Sequence, residues 1–331
     1  MSPRLLQVLV PALIVSCLAP SARSGECKTN VGYRVMQISG KSVAVWYPTS
    51  AKPAQYKYTA RFSGLLALDA PVTTACGGSV PLVVFSHGDL GCGIQSMSLT
   101  EELARNGYVV AAPDHADAAI CHTVPPPRGS KPSPQPAQPN IFAPDAWDDS
   151  SRVDRRQDIE AVIDELLKNE EFAKVIDPQK IGLAGHSLGG YTVVGIAGGW
   201  QSWIDPRIRA VLALSPYVMP FQVKNTLGNV HVPLMYQGGT LDVGITPFLE
   251  GPKGAFAAAN PPVYFVKLKA AAHLAWASCG NERTTQSCLA NVPNARLIAQ
   301  YAIAFFDRYL KGLPEPLLEK KNAALAQYEF R

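Results

Sequence analysis

The six residues Gly185-His186-Ser187-Leu188-Gly189-Gly190 constrain this 331-residue chain more than any others. They follow Lys180-Ile181-Gly182-Leu183-Ala184, an apolar run that reads as a buried strand, and precede Tyr191 to Gly198, small and apolar, which reads as a packed helix. G-x-S-x-G in that setting is a nucleophile elbow, a strained strand-to-helix turn that pushes a serine hydroxyl into the open. The flanking glycines are needed because a side chain there would collide with the neighbouring strand and helix. A glycine-rich turn with an incidental serine is the alternative, and the strand, helix and double glycine weigh against it.

The rest of the chain supplies a matching frame. Val31 to Ile38 and Ser42 to Tyr47 alternate as early antiparallel strands, and Leu82 to Phe85 is a continuous apolar run ending at Ser86-His87-Gly88. Ser98 to Asn106 reads as a helix with Ser98 as its cap and Glu101 three residues on. Tyr108 to Ala112 is the next strand, and Ser151 to Lys168 carries the apolar stripe of an amphipathic helix. Between them, residues 124–144 hold prolines without periodicity and form an irregular insertion loop. Strands at Ala210 to Leu214, Pro233 to Tyr236 and Val263 to Leu268 follow the elbow, and Arg296 to Leu310 closes the chain as a helix. Alternating strands and helices predict an α/β fold: one doubly wound, mostly parallel sheet of about eight strands with helices on both faces. No repeat or linker divides it, so residues 25–331 form one catalytic domain. Fewer than twenty residues separate Leu214 from Pro233, too few for a cap domain.

A serine hydroxyl needs a base, and the base needs an acid to hold its tautomer. Of the six histidines, His273 ends the last strand, at the carboxyl edge where catalytic groups of such sheets gather. His186, inside the elbow, must point away from Ser187 and is structural. Asp242 follows the preceding strand, and the order Ser187, Asp242, His273 is the one expected of a triad on this kind of sheet. Asp205, ahead of Pro206, sits at the wrong edge and reads as a turn residue. An oxyanion needs two donors: the backbone N–H of Leu188, after the nucleophile, and that of Asp89, after Gly88 in the loop beyond Phe85.

Together Ser86-His87-Gly88, Gly185 to Gly190, Asp242 and His273 resemble the α/β-hydrolase superfamily. Within it the chain resembles the branch of exported dienelactone-hydrolase-like proteins, platelet-activating-factor acetylhydrolases and cutinase-like polyester hydrolases, from about Leu82 to Leu310. The acetylhydrolase group carries its acid after the strand that follows the elbow, where this chain has Ser215. Gly239-Thr240-Leu241-Asp242 with Pro247 is closer to the cutinase-like acid loop. Leu214-Ser215-Pro216-Tyr217 resembles the Thr-Pro-Trp segment of those enzymes, which implies that Tyr217 lines the substrate cleft, with Trp276 beyond His273 as a second border. Asp89 departs from the Tyr or Phe that those enzymes carry. Dienelactone hydrolases use a cysteine nucleophile, so Ser187 argues against that reaction. The resemblance implies a serine carboxylic-ester hydrolase working through an acyl-enzyme on a small-molecule or polymeric ester, with no metal or organic cofactor. A lipase, a phospholipid acylhydrolase or a cutinase-like polyester hydrolase is the alternative; an exported acyltransferase or a non-catalytic binding module ranks below these.

The N-terminus reads as an export signal over residues 1–24: Arg4, an apolar stretch from Leu5 to Val15, and Ala22-Arg23-Ser24 before the cleavage point. The stretch is too short and too broken by Gln7 and Pro11 for a stable transmembrane anchor. A secreted or periplasmic protein is expected, or a lipoprotein anchored through Cys17 in Ile14-Val15-Ser16-Cys17. Loss of Arg4 and Arg23 with the signal lowers the formal charge of +4, which excludes nucleic acid as an expected partner. Without Cys17 the seven cysteines become six: Cys27, Cys76, Cys92, Cys121, Cys279 and Cys288. None has metal-ligand spacing, and an oxidising compartment favours disulfides. Fifteen pairings are open; spacing favours Cys279 with Cys288 and Cys92 with Cys121, leaving Cys27 with Cys76.

Overall fold

The structure is a computed structural model, which describes residues 29–74, 78–126, 138–277 and 279–331. The expected signal segment 1–24, Cys17, Cys27, Cys76 and the middle of the proline-rich loop lie outside the described residues. Eleven strands form one sheet: β1 Asn30–Ile38, β2 Lys41–Thr49, β3 Ala54–Lys57, β4 Ser63–Leu68, β5 Val80–Ser86, β6 Val109–Pro113, β7 Ile176–His186, β8 Ile208–Leu214, β9 Leu234–Gly239, β10 Val263–Leu268 and β11 Leu325–Phe330. Their spatial order is β11-β10-β9-β8-β7-β5-β6-β2-β1-β4-β3. The run from β6 through β5 and β7 to β10 is parallel, while β2 pairs antiparallel with β1 and β6.

The expectation of about eight strands is corrected to eleven. The additions sit outside the eight: β4 beside β1 with β3 beyond it, and β11 antiparallel on β10. An outer strand needs only one buried face and is short, so its alternation is weak. In β11 just Leu325 and Tyr328 are buried. The central strands β5, β6 and β9 are buried at every position, as expected of parallel strands covered on both faces.

Among the described residues seven α-helices cover the sheet: α1 Met97–Arg105, α2 Val153–Lys168, α3 Leu188–Val194, α4 Met219–Val223, α5 Ala255–Ala258, α6 Thr285–Asn291 and α7 Pro293–Phe306. Along β5, Leu82 and Val84 face a core shared with Ile159 and Ile163 of α2 and Val193 of α3. Val83 and Phe85 face a second core with Leu99 and Leu103 of α1 and Phe305 of α7. That period of two is what lets one strand serve two layers. The chain leaves β5 through α1 on one face to β6, then returns through α2 on the other face to β7. The reversal opens a crevice at the carboxyl ends of β5 and β7, where such sheets place ligands. Between β8 and β9 lie only α4, five residues long, and the turn Leu227–Asn229. Among the described residues no helix is long and apolar enough to cross a membrane.

α1 begins at Met97 rather than at a Ser98 cap, and no side chain caps it. Glu101 is turned inward instead, where its carboxylate accepts from Thr285 Oγ1 at 2.9 Å and Gln286 Nε2 at 2.8 Å and so ties α6 to α1. Among the described residues two disulfides are formed. Cys92–Cys121 joins the loops after β5 and β6, and Cys279–Cys288 closes a short loop before α6. The first spans 29 residues and the second 9, so the first restricts the unfolded chain more. In urea unfolding, replacing Cys92 and Cys121 by Ala should therefore cost about 1 kcal/mol more than replacing Cys279 and Cys288. Equal losses, or a larger loss from the shorter loop, would contradict the chain-entropy account.

Candidate active site

β7 runs directly into α3 through Ser187, whose φ of 55° and ψ of −116° lie outside helix and strand alike. Two backbone bonds hold the residue there: Ser187 N–H donates to Leu214 O and Tyr217 N–H to Ser187 O, each at 3.0 Å. Glycine is obligatory around it. A Cβ at Gly185 would overlap the Gly189 carbonyl, and one at Gly189 would overlap the Ser86 carbonyl. The sequence thus brings α3 against the end of β5 and leaves the serine side chain at the crevice.

Three further strand ends deliver the groups around it. His273, in the turn His273–Trp276 beyond β10, has Nε2 2.9 Å from Ser187 Oγ. Its Nδ1 lies 3.0 Å from Asp242 Oδ1, in the loop beyond β9. A carboxylate can only accept, so Nδ1 carries the proton and Nε2 is left to accept from Ser187 Oγ–H. Asp242 Oδ2 accepts from Ser215 Oγ at 2.6 Å and from Thr246 Oγ1 at 2.9 Å. Burial alone would raise the Asp242 carboxyl, but the bonds from His273, Ser215 and Thr246 outweigh it and hold it below its ordinary range. Ser187, His273 and Asp242 are therefore brought into one hydrogen-bonded chain. Asp205 is far from it, paired with Arg207 at 2.6 Å ahead of β8.

Ser215 was not anticipated in this setting. It follows β8 with φ of 43°, is fully buried, and its Oγ lies 2.9 Å from His273 Nδ1 as well as touching Asp242. One hydroxyl therefore braces both the acid and the base. Its sequence signal was its place at a strand end, at the position where the acetylhydrolase group carries its acid.

The loop after β5 forms the opposite wall. Leu188 is the first residue of α3, so its N–H has no intrahelical acceptor. Gly88 N–H is taken by Gln95 Oε1 at 2.9 Å, while Asp89 borders the same cavity as Ser187. The Asp89 carboxylate is paired with Arg152 at 3.3 Å. Gln95 Nε2–H donates to His186 Nδ1 and His186 Nε2–H to the His273 carbonyl, both at 2.8 Å. His186 thus links the loop to the backbone of the base, a role its place in the motif did not reveal.

The cavity holds about 450 Å³ and is walled by Ile94, Met97, Ile120 and Leu274 around the polar groups. Tyr217 and Trp276 are not among its lining, which corrects the expectation that they border the cleft. Both rings are spent elsewhere. Tyr217 packs 5.0 Å from Trp147 and donates to Ile141 O at 2.7 Å; Trp276 stacks on His186 and donates to Gln237 Oε1 at 3.0 Å. Among the described residues no group of three or more His, Cys, Asp and Glu is arranged to hold a metal ion.

Three histidines near the site are buried and neutral. Burial first, and the neighbouring His273 second, push His186 down to about 3; burial and then Arg155 push His87 and His115 well below the ordinary histidine value. All three values are lower in the folded than in the unfolded chain, so the unfolded chain binds more protons below pH 6.5. Their contribution is present above that pH and lost as pH falls from 6.5 towards 3, by up to about 1.4 kcal/mol per unit for each. Urea midpoints should fall steeply from pH 6.5 to 5, and a flat profile there would contradict the burial of these rings as neutral species.

Comparison with known proteins bears on one part of this site. Residues 65–138 match the family model of platelet-activating factor acetylhydrolase, isoform II, a stretch that contains β5, the Gly88–Asp89 loop, α1 and β6. The matched segment ends before the elbow, Asp242 and His273. No curated protein is similar enough to the chain to count as a match. A single sheet with helices on both faces fits an α/β-hydrolase-like fold, and with the matched segment it supports the hydrolase superfamily.

Proposed function

We propose that the protein is a serine carboxylic-ester hydrolase that works through an acyl-enzyme. The observation that carries this reading is the bonded chain Ser187–His273–Asp242 at a cavity that Asp89 also lines; the N–H groups of Leu188 and Asp89 are the proposed oxyanion donors. Ser187 Oγ attacks the ester carbonyl as His273 Nε2 takes its proton, and Asp242 stabilises the imidazolium that results. The carbonyl oxygen gains charge between the two N–H groups, each worth about 3 kcal/mol to the transition state. His273 then protonates the leaving alcohol, and water repeats the cycle on the acyl-enzyme. A secreted or periplasmic site, or a lipid anchor at Cys17, belongs to the same proposal; the two disulfides are consistent with it.

One observation favours a second reading, that of a lipase, phospholipid acylhydrolase or polyester hydrolase. Leu90, Ile120 and Leu274 stand exposed near the mouth of the cavity, and the matched family is named for hydrolysis of platelet-activating factor. An acyltransferase would share the acyl-enzyme and differ in admitting an alcohol in place of water.

Ser187→Ala should fold normally, lose nearly all turnover of p-nitrophenyl esters and fail to label with a fluorophosphonate. Retention of a tenth of the activity or more would refute the assignment, and a binding module would not label even as wild type. Asp242→Asn should keep its affinity for substrate analogues but turn over by about three to four orders of magnitude more slowly, through loss of tautomer control. With no cap between β8 and β9, short dissolved esters should show ordinary saturation. A jump in rate at the micelle threshold, abolished by deleting residues 124–144, would instead favour the lipase reading.

A further inference from the structure

A buried arginine stands directly behind the loop that contributes Asp89. Arg155, on the first turns of α2, is fully buried, and its guanidinium faces the loop rather than solvent. Nη1 donates to His87 O at 2.7 Å and Nη2 to Gly88 O at 3.1 Å. Asp117 balances the charge, accepting from Nη2 at 2.9 Å and 2.8 Å. Nε–H has no acceptor among the described residues, so the side chain leaves one donor unused in order to meet the loop. Ordinary packing gives no reason to bury a guanidinium on two backbone carbonyls.

The geometry gives one. In a trans peptide the C=O and N–H point in opposite directions. Gly88 O is gripped from behind by Arg155 Nη2, by His87 Nδ1–H at 2.7 Å and by Gly91 N–H at 3.1 Å. The N–H of the same peptide is that of Asp89, and it must point the other way. The nucleophile lies close to this peptide: a Cβ placed on Gly88 would stand 3.4 Å from Ser187 Cβ, and Gly88, Asp89 and Ser187 line one cavity. We propose that Arg155 is a positioning residue of the oxyanion site, which orients the Gly88–Asp89 peptide and polarises it so that Asp89 N–H donates more strongly. The inference rests on the hydrolase reading above. A cation bonded to the carbonyl end of a peptide draws electron density from its N–H end, and in a dry interior such bonds reinforce one another. A guanidinium stays charged at any working pH, so the device does not switch off.

Simple removal of Arg155 would leave the buried Asp117 carboxylate with only Arg152 at 3.4 Å and Leu90 N–H at 3.3 Å. The test therefore compares wild type with Arg155→Lys and with the double variant Arg155→Met/Asp117→Leu, which removes both charges. In the folded double variant, kcat on p-nitrophenyl butyrate should fall about ten- to a hundredfold with KM within about twofold, because the lost interaction acts on the transition state. Fluorophosphonate labelling should slow in parallel, since its phosphoryl oxygen uses the same donors. The pH profile should keep its shape, as the triad is untouched; a purely structural role that disturbed His273 would move it. A double variant that melts like wild type yet keeps kcat within threefold overturns the proposal. If that variant does not fold, Arg155→Lys decides: its single ammonium cannot hold both carbonyls and Asp117, so an intermediate loss of kcat is expected, and an unchanged kcat overturns the proposal. Failure of the wild type itself to hydrolyse or label would overturn the hydrolase reading, and this inference with it.

Discussion

Ser187 stands where it does only because α3 touches the end of β5. That contact leaves no room for a side chain: Gly189 lies against the carbonyls of Ser86 and His87, and Gly185 against Gly189. The start of α3 is thereby driven into the crevice between β5 and β7, and Ser187 and the Gly88–Asp89 loop line the same cavity. A larger residue at either glycine would push the helix outward, away from that loop. The positive φ of Ser187 is the local strain that this approach requires, and the bonds to Leu214 and Tyr217 hold it.

Around that contact the interior is unusually polar, yet its histidine rings are satisfied. His115 bonds Ser86 Oγ at 2.9 Å and Asp158 at 2.8 Å; His87 bonds Gly88 O and the His115 N–H. Both rings sit beside the buried cation Arg155. Protonating either would set two positive charges together in a dry space, which is why burial and Arg155 together keep them neutral. The result is a wall in which neutral rings carry hydrogen bonds and the Arg155–Asp117 pair carries the charge.

The parallel strands β5 to β10 were legible because continuous apolar runs such as Leu82–Phe85 declare a strand buried on both faces, and β1 and β2 were legible from their alternation. The three outer strands were not, because β3, β4 and β11 each need only partial burial. The gathering of Ser187, Asp242 and His273 was legible for a related reason: each follows a strand, and parallel strands bring their ends to one edge. Arg155, Gln95 and Ser215 were not. Each is a single polar residue whose meaning lies in partners distant in sequence, as Arg155 is 68 positions from His87 and 67 from Gly88. Tyr217 and Trp276 show the converse. An aromatic residue close to a site in sequence has no local signal that tells cleft from core. Glu101 matched a capping pattern, but its donors lie in α6, far along the chain.

The hairpin of β3 and β4 lies outside the eight strands, but its turn reaches the substrate space. Thr59, between the two strands, borders the cavity that contains Ser187. Ser63, where β4 begins, donates its backbone N–H to the Arg283 carbonyl ahead of α6, which anchors the hairpin from the far side. One wall of the cavity is thus an attachment to the sheet rather than part of the framework that aligns the reacting groups. Insertions or deletions between Tyr58 and Phe62 can remodel how far the cavity extends while the strand ends that hold the chemistry stay fixed. Substrate reach and catalytic geometry are separate variables in this fold, and the hairpin is where the first can drift without the second.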